Sequence, residues 1–193
     1  GRLSYVLGLH GPCASYDTAC SAALVACHAG LRALQGDECG AGVVVGITLM
    51  LAPGISISFA IAGMTSARGR SHTFDARADG YARAEGCGAT RLGDGSSWHG
   101  SAVRSDGKSA SLTAPNGTAQ AHMLGAVLAE TGGHLRPSVV EAHGTGTSLG
   151  DPTEVGALER AFGSTAGLCL GSVKANAGHT EPTAGMLGLL TLA

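Results

Sequence analysis

Residues 137–154 read PSVVEAHGTGTSLGDPTE, and this run decides the fold class. Its opening, Pro137 to Ala142, predicts a short strand. Gly144-Thr145-Gly146-Thr147 breaks the apolar pattern into a loop. Asp151-Pro152-Thr153-Glu154 then supplies an acidic N-cap, a proline at the first helical position and a glutamate three residues after the cap. That is a capping box, and it predicts a helix over 151–162. Strand, loop and helix in succession are the unit of an α/β fold.

The same alternation continues outward. Downstream, Leu168 to Val173 predicts a strand and a last helix starts near Pro182. Upstream, Thr118 to Glu130 predicts a helix with Met123, Leu124, Val127 and Leu128 on its apolar side. Before it lie a turn-rich loop over 105–117 and expected strands at Gly86–Leu92 and Trp98–Arg104. A polar loop spans 65–80. Nearer the start, Val6–Leu9 and Cys13–Asp17 read as short strands, and a helix follows over 19–34, capped by Thr18 or Asp17. Ala41 to Met64 is a charge-free run that resembles a membrane span in hydropathy. Pro53-Gly54 at its middle, with Thr48, Ser56 and Ser58, argues instead for a buried strand over 42–49, a turn and a short buried helix.

The 193 residues fit one domain with a sizeable core. A net charge of −2 with no long basic run gives nucleic-acid binding no electrostatic support. The six cysteines include no C-x-x-C, and no secretory segment accompanies them. Reduced thiols in an intracellular, cytoplasmic setting are expected, with no targeting signal visible. Cys20 and Cys27 would share a helix face about 10 Å apart, too far for a bridge. The sequon at Asn116 carries little weight without secretion. The chain opens on Gly1-Arg2 and stops inside an apolar helical pattern, so both ends are expected to be cuts in a larger polypeptide.

Three short stretches carry reactive side chains: Asp17-Thr18-Ala19-Cys20-Ser21, Glu141 to Thr147, and Lys174-Ala175-Asn176-Ala177-Gly178-His179-Thr180-Glu181. Cys20 falls in the first turn of an expected helix, where the helix dipole would favour a thiolate and lower the thiol pKa. A thiolate that attacks a thioester leaves it a thioester, which conserves the acyl activation. His143 ends a strand and opens a glycine-threonine loop whose hydroxyls suit a polar chain threaded past them. His179 follows another strand through a loop. His28 lies eight residues along the Cys20 helix, about 12 Å away, beyond reach as its base. His10, His72, His99, His122 and His134 read as core or surface residues.

In this order the three stretches resemble the beta-ketoacyl synthase (ketosynthase) domains of polyketide and fatty acid synthases, the type I polyketide kind above all. The resemblance implies a thiolase-like five-layer αβαβα fold truncated at both ends. Residues 1–134 would be the remainder of its N-terminal half with the nucleophile, and residues 135–193 the start of its C-terminal half with both histidines. It implies that Cys20, His143 and His179 are catalytic, that Lys174 and Glu181 organise the site, and that Thr145 and Thr147 contact a phosphopantetheine arm. Thr73-Phe74-Asp75-Ala76 and Asp79 to Gly86 match a stretch near the acyl pocket, which makes Phe74 a candidate lining residue. The chain departs from the family at Ala22-Ala23, where further serines are common, and at Arg104-Ser105, where Asn-Gln is frequent.

The implied activity is that of an acyltransferase. Cys20 holds an acyl group, and decarboxylative Claisen condensation with a malonyl-type thioester extends it in polyketide biosynthesis or, alternatively, fatty acid synthesis. Substrates would arrive on the phosphopantetheine of an acyl carrier protein, with no bound cofactor, no metal and no membrane span. A homodimer through the strand before Cys20 is expected. A glycine-rich segment that completes the cysteine's oxyanion site in the family does not occur after His179. Four rival readings compete. A non-elongating or scaffold-only relative typically loses the cysteine or a histidine. A biosynthetic thiolase needs a second cysteine, and Cys169 lacks that context. A Cys-His-Asn hydrolase using Asn176 leaves one histidine motif idle. A metal module built on Glu141, His143 and His179 lacks a further ligand at suitable spacing.

Overall fold

The computed structural model describes residues 1–93, 98–133, 136–163 and 167–192. Helix α1 spans Arg2–Leu7, a 3-10 turn spans Ala19–Ser21, and α2 spans Ala22–Gln35. Strand β1 (Gly42–Thr48), helix α3 (Pro53–Ile61) and strand β2 (Gly86–Leu92) follow. Helix α4 is Gly117–Glu130, β3 is Val139–Glu141, α5 is Gly150–Phe162 and β4 is Cys169–Gly171. The short α6 (Lys174–Ala177), a 3-10 turn at Glu181–Thr183 and α7 (Ala184–Leu192) complete the order.

Two sheets form among the described residues. β1 and β2 pair antiparallel, from Gly42 opposite Leu92 to Thr48 opposite Gly86. β3 and β4 pair parallel, Val139 beside Cys169 and Glu141 beside Gly171. Helix α7 touches β2 on one side and β3 on the other, and α2 packs on β1 and α7. The result is a helical layer between two sheets, the arrangement that lets both sheets bury an apolar face. Ala23, Cys27, Val44, Leu92 and Met186 make the core, with Leu31, Leu34, Trp98 and Leu189 packed against it.

The strand expected at 6–9 overlaps a helix, α1, and residues 13–17 are exposed and form no strand with any of the described residues. Trp98 to Arg104 likewise forms no strand. β1 is buried on one face only: Val44 and Thr48 point inward while Val43, Val45 and Ile47 are exposed. α3 contains no buried residue, so the expectation of a buried helix there fails as well. Among the described residues, no element covers these apolar faces. The capping box expected at Asp151 also fails. α5 begins one residue earlier and both carboxylates turn away from its end. Asn116 does cap α4, accepting from the N–H groups of Thr118 (3.1 Å) and Ala119 (3.2 Å). Its Nδ2 donates to the Asp106 carbonyl, so the sequon asparagine is committed to structure. No described helix is long and apolar enough to cross a membrane. His134 and the expected division at 134/135 lie outside the described residues.

Candidate active site

Cys20 sits in a 3-10 turn rather than inside the helix proper, and the residue before it takes a left-handed backbone, Ala19 at φ 50°. A non-glycine residue in that region stores of order 1–3 kcal/mol of strain, which surrounding structure must offset. Asp17 Oδ1 accepts from the Ala19 N–H at 3.4 Å, and the Ser21 hydroxyl donates to the Thr18 hydroxyl and carbonyl. This sharp turn packs against the turn at 181–183, which carries the third motif.

His143 leaves the end of β3 on a loop that is held from α5. The Glu154 carboxylate accepts from the N–H groups of His143 (2.6 Å) and Gly144 (2.8 Å). Asp151, itself buried, accepts from Gly146 (3.1 Å), Thr147 (3.4 Å) and, across the chain, Phe74 (2.7 Å). The acidic pair thus satisfies the histidine loop's donors instead of capping its own helix. Gly144 and Gly146 have φ of +45° and +77°, and a Cβ on Gly146 would meet the His72 nitrogen at 2.7 Å. Thr145 is buried, and its hydroxyl lies 3.2 Å from that of Thr147. Phe74 is half-buried at φ 54°, on a loop tied to the same place by the Thr73 hydroxyl's bond to the Gly144 carbonyl at 2.6 Å.

His179 is fully buried. Its N–H donates to the Ala82 carbonyl (2.7 Å) and its carbonyl accepts from Ala84 (3.0 Å), a parallel bridge to the Arg83 segment. The Tyr81 ring meets it edge-on at 4.9 Å. The Glu181 N–H donates to His179 Nδ1 at 3.0 Å. A neutral imidazole with Nδ1 accepting carries its proton on Nε2. That Nε2 is buried and has no hydrogen-bond partner among the described residues. A buried donor left unpaired is costly, and such groups mark places where a ligand atom belongs.

The three side chains converge: the Cys20 sulfur and one nitrogen from each imidazole lie within 4.8 Å of one another. The rings of His143 and His179 stand 5.5 Å apart. Burial lowers the His179 pKa to about 3, with His143 and Lys174 adding to the effect. Burial by the surrounding protein, then Lys174, lowers His143 to about 4, although this residue keeps an exposed edge. Both rings are therefore neutral near pH 7 and act as hydrogen-bond donors rather than cations. The Cys20 thiol departs from expectation. Burial raises its pKa, with the Glu181 charge adding to the rise, and together these outweigh its own backbone N–H and Lys174. Cys20 lies just ahead of the first turn of α2, and burial outweighs what the start of that helix offers.

Lys174 is buried, and burial lowers its pKa against the opposing pull of Glu141 and Glu154. Glu181 pairs with Arg83, Nε to Oε1 at 2.5 Å and Nη2 to Oε2 at 2.8 Å, so Lys174 and Glu181 do not form a surface pair with each other. Arg83 is a site residue that sequence reasoning passes over. The signal lay in the matched stretch 79–86, but its partner is 98 positions away. Asn176 is exposed beside Arg68 and Arg70 in an open cleft. His28 bonds Ser101 at 3.0 Å, and all six cysteines are free.

Cys20, His143 and His179 are the described donors close enough to share a metal ion, whereas Glu141 is spent on the Val173 N–H at 2.8 Å. A metal-bound histidine donates from its other ring nitrogen. His179 does the reverse, accepting at Nδ1, so its free position carries a proton and the set is built to donate rather than to ligate.

Comparison with known proteins accounts for this arrangement. The family model for the beta-ketoacyl synthase N-terminal domain matches residues 1–95, and that for the C-terminal domain matches residues 96–193. The chain is 45% identical to a phenolphthiocerol/phthiocerol polyketide synthase of Mycobacterium tuberculosis, over 98% of its own length and 9% of that protein's. It is 42% identical to the pikromycin polyketide synthase component PikAII of Streptomyces venezuelae, over 100% of its length and 6% of the relative's. Among solved structures, an oxazolomycin ketosynthase domain of Streptomyces albus superposes with a TM-score of 0.92 at 36% identity, covering 99% of this chain and 36% of that one. The ketosynthase from module 6 of the Bacillus subtilis bacillaene synthase gives 0.91 at 36% identity, with coverage of 99% and 37%. The helical layer between two sheets is thus the thiolase-like α/β core, and the chain belongs to the beta-ketoacyl synthase family.

Proposed function

We propose that this chain carries the condensing centre of a polyketide ketosynthase. The observation that supports it best is the buried, unpartnered Nε2–H of His179, set with His143 within 4.8 Å of the Cys20 sulfur. The Cys20 sulfur attacks an acyl thioester on the phosphopantetheine arm of an acyl carrier protein. The new C–S bond forms as the old one breaks, and the thiol proton leaves with the carrier sulfur. A malonyl-type thioester then enters along Thr145 and Thr147, and its carbonyl oxygen accepts from His143 and His179. Its carboxylate departs as carbon dioxide, and the two bonding electrons become an enolate whose oxygen the imidazoles stabilise. One such donor is worth about 3 kcal/mol of barrier. The enolate carbon attacks the Cys20 thioester carbonyl, Cys20 leaves as a thiolate, and a beta-ketoacyl thioester results.

Neutral rings suit this role, since a donor must not yield its proton to the enolate. Lys174 and Glu181 organise the site, and Phe74 borders the acyl pocket from the loop that Asp151 holds. The exposed, unpaired segment 9–18 before Cys20 is where a second copy would pair to form a homodimer. The proposal is tested in the full-length protein with acyl and malonyl groups on a carrier. One carbon dioxide should be released per beta-ketoacyl thioester formed. Free acid without a new carbon–carbon bond would identify a hydrolase, and carbon dioxide alone a non-elongating relative.

A further inference from the structure

Arg83 is nearly enclosed, with 9% of its side chain exposed against 14% for Glu181, and each of its three guanidinium nitrogens donates a hydrogen bond. Two grip both oxygens of Glu181, a third reaches the Ser56 hydroxyl, and the cation lies 5.2 Å over the Phe59 ring. The backbone on either side of Arg83 is the strand-like partner of His179. One short segment therefore anchors both ends of the His179–Glu181 step: the histidine through its main chain, the glutamate through its carboxylate.

What lies between those anchors is strained. Glu181 is held at φ 44°, a region a glutamate avoids when free to relax. From this position the Glu181 N–H donates back to His179 Nδ1. Released from the guanidinium, Glu181 would relax, the N–H would swing off Nδ1, and the imidazole would be free to carry its proton on either nitrogen.

We infer that Arg83 is a positioning residue: by gripping Glu181 it keeps the Glu181 N–H on His179 Nδ1 and so fixes the Nε2–H tautomer that donates into the site. The inference rests on the condensation reading for its purpose and on the geometry alone for its mechanism. A lysine supplies the charge but cannot hold both oxygens in a planar fork.

The test uses the full-length protein labelled with 15N-histidine, as wild type, Arg83→Gln and Arg83→Lys. In wild type the His179 signals report Nε2–H alone. Arg83→Gln brings in the Nδ1–H form and lowers the condensation kcat by about 10- to 100-fold, less than the loss of a whole oxyanion donor. Loading of Cys20 stays within about twofold of wild type, and Arg83→Lys falls between. A folded Arg83→Gln protein with an unchanged tautomer overturns the inference, as does an equal fall in loading and condensation. If Arg83→Gln does not fold, Arg83→Lys carries the same reading, and an unchanged tautomer there overturns it. A wild-type protein that forms no carbon–carbon bond, while Arg83→Gln still shifts the tautomer, removes the condensation reading and leaves the positioning role intact.

Discussion

The imidazole planes of His143 and His179 cross at 87°, so the two rings approach one point from different directions. Only one of them is sealed in: His179 is buried and held at Nδ1, while His143 keeps an edge open to solvent. An oxygen placed between them is met by one donor from the protein interior and one from the mouth of the site. Two donors that differ in freedom suit a site that must admit a bulky thioester and then hold its carbonyl still.

Both imidazoles sit below their ordinary pKa of about 6.5, at about 4 for His143 and about 3 for His179. Between those values and the ordinary one, the unfolded chain binds protons that the folded chain does not. Stability must then fall as pH drops from about 6.5 toward 4 and be insensitive to these groups above it. Urea midpoints across that range check the sign. The exposed edge of His143 weakens its share, so His179→Gln should remove most of the slope.

Cys20 gives the opposite limb. Its thiol is raised by burial, so the thiolate fraction grows about tenfold per pH unit through neutrality. The rate of Cys20 loading, measured alone by stopped acyl transfer, should climb steadily from pH 7 to 9. A plateau already at pH 7 would mean that a base or the helix end activates the sulfur after all.

Asp151 satisfies three backbone donors from two loops. Asp151→Ala leaves them without an acceptor and should cost about 3 kcal/mol in chemical unfolding. Condensation should suffer more than loading, because the loop that carries His143, rather than the Cys20 turn, loses part of its support.

Gly146→Ala tests the loop's backbone directly. A Cβ there collides with His72 at 2.7 Å in a left-handed conformation, and the loss should be about 1–3 kcal/mol. Gly107, also left-handed but with open space around it, should tolerate alanine with the smaller penalty of φ alone.

Much of this molecule is legible in its residues, for reasons that vary by element. β2 and α4 match expectation almost to the residue because glycine, proline and asparagine punctuate them. Strands misread at 6–9, 13–17 and 98–104 share one cause: an apolar or alternating run becomes a strand only when a partner lies beside it, and none does among the described residues. The convergence of Cys20, His143 and His179 is legible only through the resemblance of three motifs to one family, because positions so far apart carry no distance information of their own. The left-handed turns at Ala19 and Glu181 do not, since nothing in an alanine or a glutamate announces positive φ. Asp151 and Glu154 looked like a helix cap because local rules cannot see the loop they serve. Arg83 stayed hidden because a guanidinium and its carboxylate meet only after folding.

The most direct measurement is where the acyl group goes. After brief incubation of the full-length protein with an acylated carrier, intact mass and peptide mapping should place a single acyl unit on Cys20, with none on Cys20→Ala. Addition of malonyl carrier should then discharge it as a longer thioester, and should fail to do so in His179→Gln. An acyl group on another cysteine, or one retained by Cys20→Ala, would contradict the account.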